Sequence, residues 1–228
     1  MLKTKFEIAA CAMIAVAAVM VESNAQQNSN ERSGFRSLFN GRDLTGWKGL
    51  VGDPKSRAQM SADELAAEQE KADKRMHAHW KVRDGVLFFD GNGENLCTAK
   101  DYANFVLLVD FKIEANGDSG IYLRGTPQVQ IWDPKLYNTG SGGLYNNKTH
   151  ASVPLVFADH PVGEWNSLKI EIVGETVSVW LNDHLVVDKT IMENYWEPDN
   201  PIYATGAIEL QSHGTPLYFR NIYINELP

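Results

Sequence analysis

The chain has 228 residues and a formal net charge of −8 at pH 7, with 43% hydrophobic and 22% charged residues. This length and balance are typical of a single globular domain. The negative charge argues against nucleic acid or an anionic membrane surface as a partner, since both attract basic proteins. Six Trp and eight Tyr are available to fill a core or to stack on the apolar faces of sugars.

The first 25 residues have the pattern of an export signal. Two lysines form a basic start, an apolar run extends from Ile8 to Val21, and Ser23-Asn24-Ala25 is a small-x-small cleavage site. The apolar run is short for a membrane span. We therefore expect a periplasmic or secreted protein that begins near Gln26. Lipid attachment at Cys11 is the alternative, although the apolar run continues past this residue.

Cleavage of this signal would leave Cys97 without a cysteine partner. A secreted domain with one cysteine has no internal disulfide, so its stability depends on its core. Cys97 lies between apolar neighbours and is interpreted as a buried, inert thiol. Residues 26–34 form a polar tether, and the folded domain is expected over 35–228.

A helical insertion is predicted over about 58–76. Ser61-Ala62-Asp63-Glu64 is a capping box, and the run that follows is rich in strong helix formers. Leu65 and Met76 are nearly its only large apolar residues. We therefore expect a surface helix that lies outside the rest of the fold and that can be removed without unfolding it.

Short alternating runs continue from here to the C-terminus, separated by frequent turns. This pattern, with no βαβ rhythm, predicts an all-β antiparallel sandwich or barrel. The runs cover 80–89, 104–114, 120–124, 128–132, 165–173, 176–182, 185–188, 206–211 and 217–225.

Three of these runs carry polar and aromatic side chains on one face. Strand side chains alternate between faces, so apolar positions such as Ile121, Ile131 and Leu210 define the core side. The opposite face combines a forked donor, amides, a carboxylate and rings, which suits a ligand rich in hydroxyl groups; an ordinary solvent-facing surface is the alternative. Its members are Tyr122, Arg124, Gln128, Gln130, Trp132, Glu209 and Gln211, with His213 just beyond the last strand.

Other segments leave two interpretations open. His77 and His79 precede Trp80 at strand-like spacing, which would place both on one face as a metal pair or as a polar strand entrance. The glycine-rich stretch 139–147, with Tyr145, is a connector or a loop that reaches over a ligand. Residues 193–196, Glu-Asn-Tyr-Trp, are an aromatic rim or a packing anchor.

One further motif is a turn rather than a catalytic loop. Gly117-Asp118-Ser119-Gly120 lacks the second glycine and the upstream histidine of a serine-protease nucleophile site. We expect Asp118 to bond the local backbone.

Several blocks in this order resemble the 3-keto-disaccharide hydrolase family. They include LFNGRDLTGWKG, HWKVRDGVL, DSGIYLRGTPQVQIWD, GSGGLYNN and GAIELQSHGTPLYFRNIYI. The resemblance extends from about Phe35 to the C-terminus. It implies a concanavalin-like jelly roll of two antiparallel sheets with a concave face that holds the ligand.

The resemblance also implies an activity on sugars that are oxidised to a ketone at C3. Many relatives have Glu where Gln128 stands, and the chain lacks the paired carboxylates of ordinary glycosidases. A C3 ketone acidifies the C2 hydrogen, so one base suffices to start elimination of the C1 group, after which water adds. Glu209 or His213 would be the base, and Arg124 or a bound divalent cation would stabilise the oxyanion.

In this interpretation the hydroxyl groups of the sugar are bound by Tyr122, Gln128, Gln130, Trp132, Tyr145 and Gln211. The partner would be an oligosaccharide or glycoside. The alternative function is a non-catalytic, lectin-like carbohydrate-binding module, because one fold can host both. The residues leave the aglycone, the anomeric preference and the oligomeric state open.

Overall fold

Short strands joined by tight turns make up most of the structure. The computed structural model describes residues 33–126 and 128–228. The predicted export signal, with Cys11, and the tether up to Glu31-Arg32 lie outside the described residues. None of the described helices is long and apolar enough to cross a membrane. The elements are β1 (Arg36–Ser37), β2 (Trp47–Gly49), α1 (Pro54–Arg57), α2 (Ala62–His79), β3 (Trp80–Arg83), β4 (Val86–Phe89), β5 (Leu96–Thr98), β6 (Phe105–Ile113), β7 (Asp118–Tyr122), β8 (Gln128–Trp132), β9 (Asn166–Val173), β10 (Thr176–Leu181), β11 (His184–Ile191), β12 (Glu209–Leu210) and β13 (Leu217–Glu226).

The strands form two antiparallel sheets around one hydrophobic core. The larger sheet has the order β11-β10-β9-β6-β13-β4-β3, and the smaller has the order β2-β5-β12-β7-β8. Ile121, Ile131 and Leu210 of the smaller sheet share a buried cluster with Phe111 and Phe219 of the larger one. Residues 37–228 form one compact unit. The predicted all-β class with two antiparallel sheets is confirmed.

Two-residue hairpin turns set the register of the larger sheet. Asp84 and Gly85, with φ values of 50° and 76°, separate β3 from β4. Asn182 and Asp183, at 49° and 66°, do the same between β10 and β11. A turn with two positive φ values matches the twist of the flanking strands, and Asn, Asp and Gly adopt such values most readily. The predicted run 80–89 is therefore two strands.

Helix α2 begins where the capping box predicts and ends three residues later than expected. The Ser61 hydroxyl accepts from the Glu64 N–H, and the Glu64 carboxylate accepts from the Ser61 N–H. The helix is not separate from the sandwich, however. Ala72 and Met76 are buried, and Met76 belongs to the main core cluster. The expectation that the helix lies outside the rest of the fold is corrected, because α2 covers one edge of the smaller sheet.

This helix satisfies the open hydrogen-bonding groups of edge strand β2. The Gly49 N–H donates to Asp73 Oδ1 at 2.9 Å, and Gln69 Nε2 donates to the Gly49 carbonyl at 2.8 Å. An unpaired strand edge is a site of aggregation unless it is covered. The two side chains of α2 therefore take the place of a further strand.

We predict that Gly49→Ala weakens the contact between α2 and β2. A Cβ on Gly49 would lie 2.3 Å from the Ala72 carbonyl oxygen, so the helix backbone must move away. Overpacking of this kind costs about 1–3 kcal/mol. Urea unfolding should show the loss, and limited proteolysis should cut α2 sooner than in the parent protein. Glu70→Ala is the control, because Glu70 is an exposed residue of α2 and alanine is a strong helix former. A Gly49→Ala protein with unchanged proteolysis of α2 would contradict the prediction.

Candidate functional site

One row of side chains crosses the face of the smaller sheet that points away from the core. Glu209 on β12 is paired with Cys97 on one side and with Tyr122 on the other. Cys97 pairs in turn with Lys48, and Tyr122 with Gln128. Ile121, Ile131 and Leu210 point into the core, as the alternation predicts. The structure thus brings the predicted residues Glu209, Tyr122 and Gln128 together on one face.

Glu209 is a buried carboxylate with an unoccupied acceptor position. Its side chain is 3% exposed, and Oε1 has no hydrogen-bond partner among the described residues. Burial raises its pKa to about 7, although the charge of Arg57 and a hydrogen bond with Asn95 act in the opposite direction. A buried carboxylate with a pKa near neutrality, beside a cavity, has the properties of a general base.

The carboxylate borders a cavity of about 180 Å³, which we call the Glu209 cavity. The sheet contributes Glu209 and Tyr122, helix α1 contributes Pro54, and connecting segments contribute Asn95 and Trp196. Burial raises the pKa of Tyr122 to about 12, so its hydroxyl stays protonated and can donate to a ligand. The cavity therefore combines a proton acceptor with a donor and an aromatic ring.

Two neighbouring amides also carry buried acceptor oxygens without a partner. Gln128 Oε1 and Gln211 Oε1 have no hydrogen bond among the described residues, as is the case for Glu209 Oε1. An unpaired buried acceptor costs about 1–3 kcal/mol. Three such acceptors on one face are suited to a ligand that brings several hydroxyl donors. The Gln128 amide is held in place by donating to Gln130 Oε1.

A second acidic group lies further along the same face. Asp118 Oδ1 accepts from Gln130 Nε2 at 2.9 Å, and Asp118 Oδ2 lies 3.4 Å from His213 Nδ1. Burial raises the pKa of Asp118, and the nearby charge of His213 opposes this shift. Asp118 is four residues from Tyr122 along β7, about 13 Å at the usual rise. His213 therefore contacts Asp118 at the far end of the face, away from the Glu209 cavity.

Aromatic rings cluster at that far end. Trp132 is buried and stacks on Tyr137 at 4.1 Å between centroids, and Tyr145 meets it edge-on at 5.2 Å. Trp132 Nε1 donates to the Gly140 carbonyl at 2.6 Å, which anchors the glycine-rich loop. Tyr145 is exposed. Trp132 and Tyr145 form a rim of the face and do not line the Glu209 cavity.

The placement of Arg124 in the site is corrected. Strand β7 ends at Tyr122, and Arg124 has a φ of 57°, so strand alternation does not reach it. Its side chain is 3% exposed. The guanidinium donates to the backbone carbonyls of Ala103, Gly174 and Tyr203 and to Asn104 Oδ1, at 2.7–3.3 Å. All three nitrogens are used within the protein, so Arg124 holds three segments together, and it does not line the cavity that Glu209 borders.

The proposed histidine pair is also corrected. His77 and His79 occupy the last turn of helix α2 and are not on a strand. Two residues apart on a helix, their side chains point in nearly opposite directions. His79 instead contacts Asp90 at 3.1 Å. Within residues 33–126 and 128–228 there is no group of three or more His, Cys, Asp or Glu placed to hold a metal ion.

Several site residues were missed because they are distant in the sequence. Arg57, Asn95, Asp53 and Pro54 come from segments with no strand alternation to mark them. The stretch 193–196 did carry a signal: Trp196 lines the Glu209 cavity, and its Nε1 donates to the Gly125 carbonyl at 2.9 Å. It is therefore both an aromatic wall and a packing anchor. Asp118, interpreted as a turn residue, is part of β7 and of the polar face.

Taken together, the fold and this face define an antiparallel β-sandwich protein with a cavity on one sheet that is bordered by a buried carboxylate. Residues 34–225 match the model of the 3-keto-alpha-glucoside-1,2-lyase-like domain, and the chain belongs to this family. The chain is similar to a 3-keto-disaccharide hydrolase of Bacteroides thetaiotaomicron. The identity is 23% over an alignment of 261 positions, which covers 90% of this chain and 83% of that protein.

Solved structures from Parabacteroides distasonis show the same architecture. One protein assigned as a glycosyl hydrolase has 26% identity and a TM-score of 0.65, with 88% of this chain and 97% of that chain covered. Another has 28% identity and a TM-score of 0.63, with 86% and 84% covered. These similarities support a common fold over nearly the whole described domain.

Proposed function

We propose that the protein is an exported hydrolase that cleaves 3-keto-glycosides, in particular 3-keto-disaccharides. The observation that carries the proposal is the buried Glu209, whose pKa is about 7 and whose Oε1 has no partner beside the Glu209 cavity. The family and the similarity to a 3-keto-disaccharide hydrolase support the substrate class. Export rests on residues 1–25, and the N-terminal sequence of the mature protein would test it.

Glu209 is proposed to act as the base. It takes the proton from C2, which the neighbouring C3 ketone acidifies, and the electron pair of the C–H bond forms an enolate. The enolate expels the exocyclic glycosidic oxygen from C1, and the leaving group departs as an alcohol after it receives a proton from the protonated Glu209 or from water. Water then adds across the C1–C2 double bond to give the free 3-keto sugar. For these reaction steps the protein needs only one base with a pKa near neutrality.

Arg57 replaces Arg124 as the positive group of the proposed site. A Cβ added to Gly125 would lie 3.7 Å from Arg57 Nη2 and 3.5 Å from Glu209 Oε1. The two charged groups therefore approach the same point beside Gly125. The Arg57 guanidinium is held there because its Nη1 donates to the Val51 and Gly52 carbonyls at 2.8 and 2.9 Å. A fixed positive charge at this position stabilises negative charge that develops on the ketone oxygen.

Incubation with a 3-keto-glucoside tests the proposal directly. Release of the free aglycone is expected, while the matched glucoside with a hydroxyl at C3 should stay intact, because its C2 hydrogen is not acidified. Saturable binding of the 3-keto-glucoside without release would instead support the lectin-like alternative. Cleavage of both compounds at similar rates would contradict the elimination route.

The pH dependence of turnover should report the base. Because burial raises the pKa of Glu209 to about 7, only a fraction of the protein carries the active carboxylate below neutrality. We predict that kcat/KM rises tenfold per pH unit below pH 7 and reaches a plateau above it. Initial rates from pH 5 to 9 at low substrate concentration measure this profile. A profile that is flat between pH 5 and 7 would exclude Glu209 as the base.

A further inference from the structure

A larger cavity lies beside the Glu209 cavity, between the sheet and the two helices. It has a volume of about 510 Å³, and we call it the helix cavity. Helix α1 contributes Pro54, its C-cap residue is Ala58, helix α2 contributes Leu65, and the sheet contributes Lys48. Tyr203 from a connecting segment completes this side of the wall.

The two cavities are immediate neighbours. Leu50 and Pro54 line both of them. Glu209 pairs across strands with Cys97, and Cys97 pairs with Lys48. Adjacent strands are about 4.8 Å apart, so the helix cavity begins one strand away from the carboxylate. The two cavities are therefore close enough for one disaccharide to reach both.

The sizes of the cavities distinguish their roles. Ligand pockets have volumes of about 300–1,000 Å³, and the helix cavity lies within this range at about 510 Å³. The Glu209 cavity, at about 180 Å³, is below it and is too small for a disaccharide on this scale. The wall of the helix cavity combines the apolar Leu50 and Leu65 with the ring of Tyr203 and the charge of Lys48, a mixture that suits a sugar ring.

We propose that the helix cavity binds the leaving group of the 3-keto-disaccharide, while the Glu209 cavity holds the oxidised ring. Helices α1 and α2 then determine which aglycones are accepted. This inference rests on the proposed function. It extends that function because it assigns a substrate subsite to a cavity that, of the proposed catalytic groups, only Arg57 lines.

Filling the helix cavity tests the assignment. Ala58→Trp places an indole at the wall of the helix cavity, where the native side chain is exposed. Ala66→Trp is the matched control, since Ala66 is exposed on α2 and does not line either cavity. Both full-length variants and the parent are assayed with a 3-keto-disaccharide and with a methyl 3-keto-glucoside, and thermal unfolding checks that each is folded.

For Ala58→Trp we expect KM for the disaccharide to rise about tenfold or more at similar kcat, as happens when binding contacts are lost. The methyl glycoside, which does not reach the helix cavity, should show less than a twofold change, and Ala66→Trp should match the parent on both substrates. Equal losses on both substrates, or no change on either, would overturn the subsite. A folded parent protein that cleaves neither substrate would instead overturn the proposed function, and the subsite with it.

Discussion

Replacing Glu209 with glutamine is expected to lower kcat/KM on a 3-keto-glucoside by about 10²–10⁴. The amide has almost the same shape as the carboxylate but cannot take the C2 proton. The protein should remain folded, because no charged partner of Glu209 is fully buried with it. Initial rates at pH 8, where the carboxylate of the parent is deprotonated, give the clearest comparison.

The same substitution should stabilise the fold at alkaline pH. Burial raises the pKa of Glu209 from an ordinary value of 4.5 to about 7, so the folded state binds its proton more tightly than the unfolded state. The free energy of unfolding therefore decreases as the pH rises from about 4.5 to 7, and the loss is complete above pH 7. A shift of this size corresponds to at most roughly 3 kcal/mol. Urea unfolding at pH 4.5 and pH 8 should show this decrease in the parent and a smaller one in Glu209→Gln.

Glu175→Gln is the matched control for both measurements. Glu175 is an exposed side chain in the turn between β9 and β10, so neither turnover nor the pH dependence of unfolding should change. Full turnover in Glu209→Gln would exclude it as the base. If parent and Glu209→Gln lost the same stability between pH 4.5 and pH 8, Glu209 would titrate as an ordinary exposed carboxylate.

Arg124→Ala is expected to reduce the free energy of unfolding by about 3–5 kcal/mol, since each buried acceptor that loses its donor costs about 1–3 kcal/mol. The side chain is 3% exposed and donates to four acceptors on three segments, around residues 103–104, 174 and 203. Alanine removes the guanidinium from three backbone carbonyls, while Asn104 Oδ1 keeps the Gly174 N–H as a donor, and it leaves a cavity. Arg124→Lys should recover little of the loss, because an ammonium group cannot span the positions that the planar guanidinium reaches. Urea unfolding at constant pH measures the effect.

Turnover separates this structural role from a catalytic one. The folded fraction of Arg124→Ala, assayed well below its melting temperature, should keep a kcat within severalfold of the parent. Ile131→Ala is a control for destabilisation without loss of polar contacts: Ile131 is fully buried in the core, and its truncation costs about 2–5 kcal/mol. A stable Arg124→Ala protein with turnover reduced 10²-fold or more would restore Arg124 to the active site.

The local patterns of the sequence predicted much of the fold because they report local physics. The capping box placed the start of α2 at Ser61, since the hydroxyl and the Glu64 carboxylate satisfy N–H groups within one turn. Alternation placed Ile131 in the core and Gln130 on the opposite face, since a strand allows only two directions. Run 80–89 was predicted as one strand because Asp84-Gly85 was not recognised as a hairpin turn.

Alternation failed at Arg124 for a related reason. It assigns a face only while the backbone stays extended, and the chain leaves the extended conformation after Tyr122. Glu209 lies inside the sheet, between β5 and β7, where pairing on both sides holds the alternation. Arg124 and Glu209, which strand alternation assigns to the same polar face, thus have different roles.

The sequence alone was sufficient to predict an antiparallel β-sandwich, the polar face with Glu209, Tyr122 and the glutamines, and the family to which the chain belongs. Only the tertiary structure decided which groups meet on that face. It brought Asp53, Asn95 and Trp196 to the Glu209 cavity, and it placed α2 along edge strand β2. These contacts join segments that are up to about 150 residues apart in the sequence. Periodicity and capping act over a few residues, so they carry no information about such distant pairs, whereas the pKa of Glu209 depends on the burial that the distant segments create.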